Sequence, residues 1–320
     1  MLKTILIIVG IILLLLILLL LVGAIIVFRY CYKRFPDNKI DDYDEKIRIR
    51  DPECIEVRDM LRNMPHETLT ITGSNGLKVI GYFYKRNPNN TKLVILSHGW
   101  KGQALRDCVL YSRFYFERDD FDVLVVTHLG HYPSEGRYIG FGALDGYNIK
   151  LWVDEVNKMW PHKYDIYLHG VSMGANAVMM SAKFGLDESV KGIIEDCGFT
   201  SGYEQMCHVC KAKFHIPKFV LMPIVRLFVK IMVKYDCKKE NTIEALTHTN
   251  IPILFIHGDN DNYVPTWMTL KNYELYEGPK ELMIVKGAAH AKSYRTDRNA
   301  YVNKVIDFCY RYESKKKQNG

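Results

Sequence analysis

Apolar and polar positions follow three patterns along the chain. From residue 4 to residue 28 the sequence is almost wholly Ile, Leu and Val, with no charged residue. At about 1.5 Å per helical residue this run spans a hydrocarbon core of about 30 Å, which predicts an uncleaved transmembrane helix. A cleavable signal would have a shorter apolar region of about 7–15 residues. Period-two alternation then begins at Thr68 to Thr72, turns at Ser74-Asn75-Gly76 and returns through Lys78 to Tyr84, predicting a β-hairpin. In the third pattern, continuous apolar runs (Leu93 to Leu96, Val123 to Val126, Ile166 to Leu168, Val190 to Ile194, Ile253 to Ile256 and Leu282 to Val285) are separated by helical stretches. Strands without alternation are buried on both faces, so the expected fold class is α/β, with a mostly parallel sheet covered by helices.

Between Gly198 and Leu246 this alternation gives way to a stretch with Pro217, Pro223 and an apolar segment from Phe219 to Val233. An insertion between two core strands is a candidate lid, or else a second pair of surface helices. The expected organisation is an anchor (1–30), a juxtamembrane connector (31–66) with a helix near 52–64, a single α/β domain (67–312) containing the insertion (198–246), and a basic tail (313–320).

The net charge of +7 changes this picture little. Lys3, Arg29, Lys33, Arg34, Lys315, Lys316 and Lys317 account for the excess, leaving 36 basic residues against 36 acidic ones. The body is therefore balanced, and no basic stripe with interleaved aromatics points to nucleic acid. The positive-inside count, with Arg29, Lys33 and Arg34 after the span and Lys3 before it, puts the domain in the cytoplasm. A signal-anchor orientation would put it outside the cell. The eight cysteines form no compact framework, and free thiols are expected; Cys207 and Cys210 make one CxxC, which lacks the four ligands of a zinc site. No metal, nucleotide or flavin signature is present, so no cofactor is expected, and the oligomeric state stays open.

The chemistry lies in three short segments. Gly170-Val171-Ser172-Met173-Gly174 follows a predicted strand and precedes a helical run from Ala175 to Phe184. Flanking glycines permit the strained turn that presents a serine hydroxyl at the sheet edge, and the helix N-terminus favours developing negative charge. Such a serine needs a base within hydrogen-bond reach and an acid to orient that base. Downstream, His257-Gly258-Asp259-Asn260-Asp261 offers two carboxylates, and Lys286-Gly287-Ala288-Ala289-His290 offers a histidine. An oxyanion hole needs two backbone N–H donors, one of which would come from Met173.

These segments resemble the α/β-hydrolase superfamily, in which HGxxDxxVP commonly carries the acid and a small-residue run ends in the base. On that resemblance the acid is Asp261 rather than Asp259, and the base is His290. Ser97-His98-Gly99-Trp100-Lys101-Gly102 is similar to the HGxxG oxyanion loop, implying Trp100 as the second N–H donor and a structural role for His98. His169 and His257, each before a glycine at a strand end, are expected to be structural too. His131 to Arg137 resembles a GHGxSEG loop, departing from it at Tyr132 and Pro133, and Glu195 to Ser201 is a further similar loop. The likeness runs from about Leu93 to His290. The two-proline insertion resembles bacterial single-span hydrolases related to acylglycerol lipases and serine aminopeptidases.

The resemblance implies a membrane-anchored serine hydrolase acting on a carboxylic ester or thioester, with an acyl-lipid-like substrate. A serine peptidase on the same residues and a non-catalytic binding protein at the membrane are the alternatives.

Overall fold

The computed structural model describes residues 1–37, 46, 52–108, 111–214 and 216–314. Most of the expected connector (residues 38–45 and 47–51) and of the tail (residues 315–320) lies outside the described residues.

Among the described residues eight strands form one sheet: β1 (Glu67–Thr72), β2 (Lys78–Tyr84), β3 (Lys92–Ser97), β4 (Asp122–Val126), β5 (Asp165–Val171), β6 (Val190–Asp196), β7 (Ile253–Gly258) and β8 (Lys280–Val285), in the order β1-β2-β4-β3-β5-β6-β7-β8. The predicted hairpin pairs Glu67 with Phe83 and Thr72 with Lys78. β2 runs antiparallel to β4, and every later pairing is parallel. The continuous apolar runs have the expected cause, since alternate residues of one strand feed opposite cores. Leu93 and Ile95 pack on one face with Trp152 and Val178, while Val94 and Leu96 pack on the other with Phe121 and Phe308.

The helices that matter here are α1 (Leu2–Tyr32), α2 (Pro52–Asn63), α3 (Ala143–Met159), α4 (Met173–Ser181), α5 (Gly202–Phe214), α6 (Lys218–Phe228), α7 (Trp267–Leu275) and α8 (Arg298–Arg311). α5 and α6 lie in the insertion after β6 and are followed by a π turn, Val229–Val233, and a short helix, Thr242–Leu246.

The apolar α1 does not stop at the domain boundary expected at residue 30. Residues 2–19 are exposed, whereas Ala24, Val27, Phe28, Cys31 and Tyr32 are buried in a third apolar cluster with Phe141, Met173, Met206, Leu221, Met222 and Val225. Main-chain bonds then stitch the exit of α1 to the loop after β4: Ile139 N–H donates to Tyr32 O at 2.8 Å and Arg34 N–H to Arg137 O at 3.2 Å. The Arg34 guanidinium donates to Ser134 O at 2.6 Å. Full burial of a large apolar side chain contributes roughly 1.5–3 kcal/mol, so Phe28 and Tyr32 alone hold the helix end firmly.

Strand order explains where a site can form. β3 sits between β4 and β5, so the chain leaving β3 and the chain leaving β5 diverge and open a crevice at the carboxyl ends of the strands.

Candidate active site

Ser172 follows β5 directly and caps α4 with φ 58° and ψ −117°, a backbone region that a serine occupies only under strain. The turn closes because its neighbours are glycines. A Cβ on Gly174 would lie 2.5 Å from the Ser97 carbonyl carbon and 2.8 Å from His98 O, so α4 starts hard against the end of β3. The Ser172 N–H donates to Asp196 O at 2.8 Å, which fixes the turn to β6. Asp196 is in turn held by the Ser293 hydroxyl at 3.0 Å, and burial pushes its carboxyl up to about 6.

The three residues singled out as nucleophile, base and acid come together, although 118 positions separate the first two. His290 Nε2 lies 3.0 Å from Ser172 Oγ, and His290 Nδ1 lies 2.7 Å from Asp261 Oδ2. The carboxylate can only accept, so Nδ1–H donates to it and Nε2 is left to accept the serine proton. Asp261 Oδ1 accepts from the N–H groups of Tyr263 and Val264, both at 2.9 Å. Burial opposes ionisation of Asp261, but the hydrogen bonds from His257 and His290 and the His290 charge outweigh it. They hold the carboxyl well below the usual carboxylate range. Asp259 is not part of this chain of bonds; it accepts from Gly287 N–H at 2.5 Å and ties the two loops together.

His257, expected to be structural, has a closer part. Its Nε2 is 2.9 Å from Val264 O and 3.3 Å from Asp261 Oδ2, so it is a second partner of the acid. Burial would lower its pKa, yet the bond to Asp261 and the nearby Glu195 charge raise it. No motif announces this contact. The signal available in the sequence was a histidine four positions before the acid on a buried strand end.

The loop His98–Gly102 passes directly over the turn, since a Cβ on Gly99 would sit 3.7 Å from Ser172 Cβ. Trp100 and Met173 therefore lie on the two backbone segments flanking the serine, and the Trp100 indole N–H donates to Cys31 O of α1 at 2.8 Å. His98 is fully buried; it contacts Gly99 O through Nδ1 at 2.8 Å and accepts from His128 N–H through Nε2 at 3.2 Å. Burial lowers its pKa to about 4, so it serves as a neutral strut under the loop. His169 is likewise buried between the Tyr115 and Tyr301 hydroxyls, at 3.2 and 3.0 Å. The loop from His131 to Arg137 is pinned to β2, with Ser134 Oγ accepting from Ile80 N–H at 2.8 Å.

Cys197, Asp261 and His290 place potential ligand atoms within 4.8 Å of one another. Burial pushes the Cys197 thiol far up, which keeps it protonated, and His290 Nδ1 is occupied by the carboxylate. This donor set suits proton relay better than metal binding. All eight cysteines are buried and stand outside any disulfide, and Cys207 and Cys210 lie on α5. A cleft of about 860 Å³ lined by Lys92, Asp165 and Ser189 opens at the opposite, amino-terminal edge of the strands, remote from Ser172.

No family model matches the chain. Among curated proteins, the uncharacterized protein YqkD of Bacillus subtilis is 27% identical over 254 residues, covering 79% of this chain and 82% of YqkD. The uncharacterized protein YfhR of Escherichia coli K12 is 24% identical over 252 residues, covering 76% and 80%. Among solved structures, the Pyrococcus furiosus esterase Pf2001 superposes with a TM-score of 0.63 at 19% identity, over 80% of this chain and 96% of that one. The Pyrococcus horikoshii acylaminoacyl peptidase gives 0.58 at 14% identity, over 82% of this chain and 44% of its own. The strand order and these superpositions define the class: the chain has the α/β-hydrolase fold.

Proposed function

We propose that the protein is a membrane-anchored serine hydrolase that cleaves a carboxylic ester or thioester of an acyl-lipid-like substrate. The observation that carries this reading is the unbroken hydrogen-bonded chain from Ser172 through His290 to Asp261, beneath the His98–Gly102 loop. Ser172 Oγ attacks the acyl carbon while His290 Nε2 takes its proton, and Asp261 stabilises the imidazolium. The oxyanion faces the backbone N–H groups of Met173 and Trp100, each worth about 3–4 kcal/mol in such a site. His290 returns the proton to the leaving oxygen or sulfur, which frees the alcohol or thiol and leaves an acyl-serine. Water, deprotonated by His290, then releases the acid and restores Ser172.

Residues 2–19 of α1, exposed and with a mean hydropathy of 3.8 over the most apolar window, form the membrane span. The positive-inside count favours a cytoplasmic domain. α5, α6 and the π turn act as the lid. Phe219, Leu227, Ile231 and Met232 on its outer side are exposed, as expected of a surface that meets lipid.

The test is turnover of p-nitrophenyl esters by the detergent-solubilised full chain and by Ser172→Ala. Hydrolysis by the wild type and its loss in the variant support the reading. Cleavage of peptide anilides with esters untouched would favour a peptidase, and no turnover of either would leave a binding role.

A further inference from the structure

A small, almost wholly apolar cavity of about 80 Å³ lies between the insertion, α1 and the His98–Gly102 loop. One wall comes from the insertion, through Met206 and Val209; another comes from Trp100 of the loop over the serine and from Tyr263, whose ring centroid is 4.9 Å from that of His290. The remaining wall is the last turns of α1, with Ile26, Val27, Tyr30 and Cys31. Among the lining residues Gln205 donates through Nε2 to Tyr263 O at 2.7 Å, while its buried Oε1 has no hydrogen-bond partner and is the one polar atom the cavity offers a ligand's donor. The oxyanion loop is tied to the same wall by the Trp100–Cys31 bond and by Lys101, whose ammonium sits 4.8 Å from the Tyr30 ring centroid.

The position of α1 is what makes this cavity informative. Val27 is buried, whereas Ile26 beside it is 62% exposed, and the helix continues outward from there into the fully exposed apolar run. An apolar chain leaving the cavity along Ile26 therefore follows the surface of the helix that spans the bilayer. Leu221 of α6 lies against Gly23, one turn before Ile26 and Val27 on the same face of α1, so the insertion packs on that face too.

We propose that the last turns of the anchor helix form one wall of the acyl-chain subsite, so that an ester lipid enters from the bilayer along Ile26 and Val27. This rests on the serine-hydrolase reading and names its substrate class as an ester whose acyl chain is delivered by the membrane. At about 30 Å³ per water-sized group, the cavity holds roughly three methylenes, and longer chains continue toward the lipid. Each methylene buried raises kcat/KM by roughly fourfold.

The experiment compares p-nitrophenyl acetate, butyrate, hexanoate and decanoate with the full chain in detergent, using wild type, Ile26→Trp, Val209→Trp and Leu13→Trp. Wild type and Leu13→Trp, whose change lies on the exposed part of α1, are expected to favour hexanoate over acetate by more than tenfold. An indole placed in the cavity from either wall is expected to cut that ratio at least tenfold, with melting temperatures reporting that the variants fold. A hexanoate-to-acetate ratio unaltered in both pocket variants overturns the proposal while leaving the hydrolase reading intact. Failure of wild type on every ester removes both. In phosphatidylcholine vesicles, an oleoyl ester of 4-methylumbelliferone embedded in the same membrane as the enzyme should be cleaved much faster than one in separate vesicles. Equal rates would make the aqueous phase the source of the chain and reject entry from the bilayer.

Discussion

Gly174→Ala tests whether the turn at Ser172 depends on close approach of two backbones. The added methyl would meet the Ser97 carbonyl carbon at 2.5 Å and His98 O at 2.8 Å, with the Ser97 carbonyl oxygen nearer still. The Ser97 atoms end β3, paired on both sides in the sheet, and His98 follows directly; as main-chain atoms they have no rotamer to change. Relief toward an ordinary carbon–carbon contact of about 3.5 Å needs a displacement of about 1 Å between α4 and the His98–Gly102 loop. Overpacking of this kind costs about 1–3 kcal/mol, or roughly 2–12 °C of melting temperature in a domain of this size. The chemical effect should be larger than the thermal one, because a misplacement of about 1 Å lowers turnover on the order of 100-fold. Calorimetry and p-nitrophenyl butyrate turnover on the same preparations measure both. A Gly174→Ala protein within threefold of wild-type kcat would mean that the turn at Ser172 does not need this close approach. Gly10→Ala, whose methyl meets nothing within 4 Å, is the matched control.

Three other outcomes are expected. Asp261→Asn leaves the fold intact but deprives His290 of its orienting carboxylate, so kcat should fall on the order of 10³–10⁴-fold in the ester assay; a loss under tenfold would contradict the role of Asp261. Burial depresses His169 to about 3 against an ordinary 6.5, so between these values the unfolded chain binds the extra proton and stability falls as pH falls. Relative to His169→Phe, wild type should therefore lose about 2 kcal/mol between pH 7 and pH 5 in urea unfolding, and parallel pH profiles would show the histidine to be solvated. Removing residues 1–22 spares the buried end of α1, whereas removing residues 1–35 strips Val27, Phe28 and Tyr32 from the core. The longer deletion should cost on the order of 5 kcal/mol, read as a lower melting temperature, and equal stability of the two would mean that α1 only tethers.

The sheet was legible because β3 to β7 are buried on both faces and each carries an unbroken apolar run; β8, at the sheet edge, shows its apolar run while only partly buried. Ser172, Asp261 and His290 were legible because each follows such a run, where the chain leaves the carboxyl edge of the sheet. What escaped was side-chain geometry within that frame. His257 looks like any strand-end histidine until the β7 turn brings it 3.3 Å from Asp261. The burial of Ala24, Val27, Phe28, Cys31 and Tyr32 was equally hidden. α1 is apolar all round, so no periodicity separates its exposed face from the face that meets Phe141 and Leu221. Within the insertion, the segment from Phe219 to Val233 resolves into a helix holding Pro223 and then a π turn, a break that hydropathy does not mark.

An activated Ser172 reacts covalently with a fluorophosphonate, whatever its natural substrate. Membranes carrying the full chain, or its Ser172→Ala or His290→Ala variant, would be treated with the probe and the adduct mapped by mass spectrometry. One phosphonyl group per chain on Ser172 in wild type, none in Ser172→Ala and strongly slowed labelling in His290→Ala is the predicted result. Folded wild-type protein that stays unlabelled, or labelling that persists without Ser172, would contradict the account.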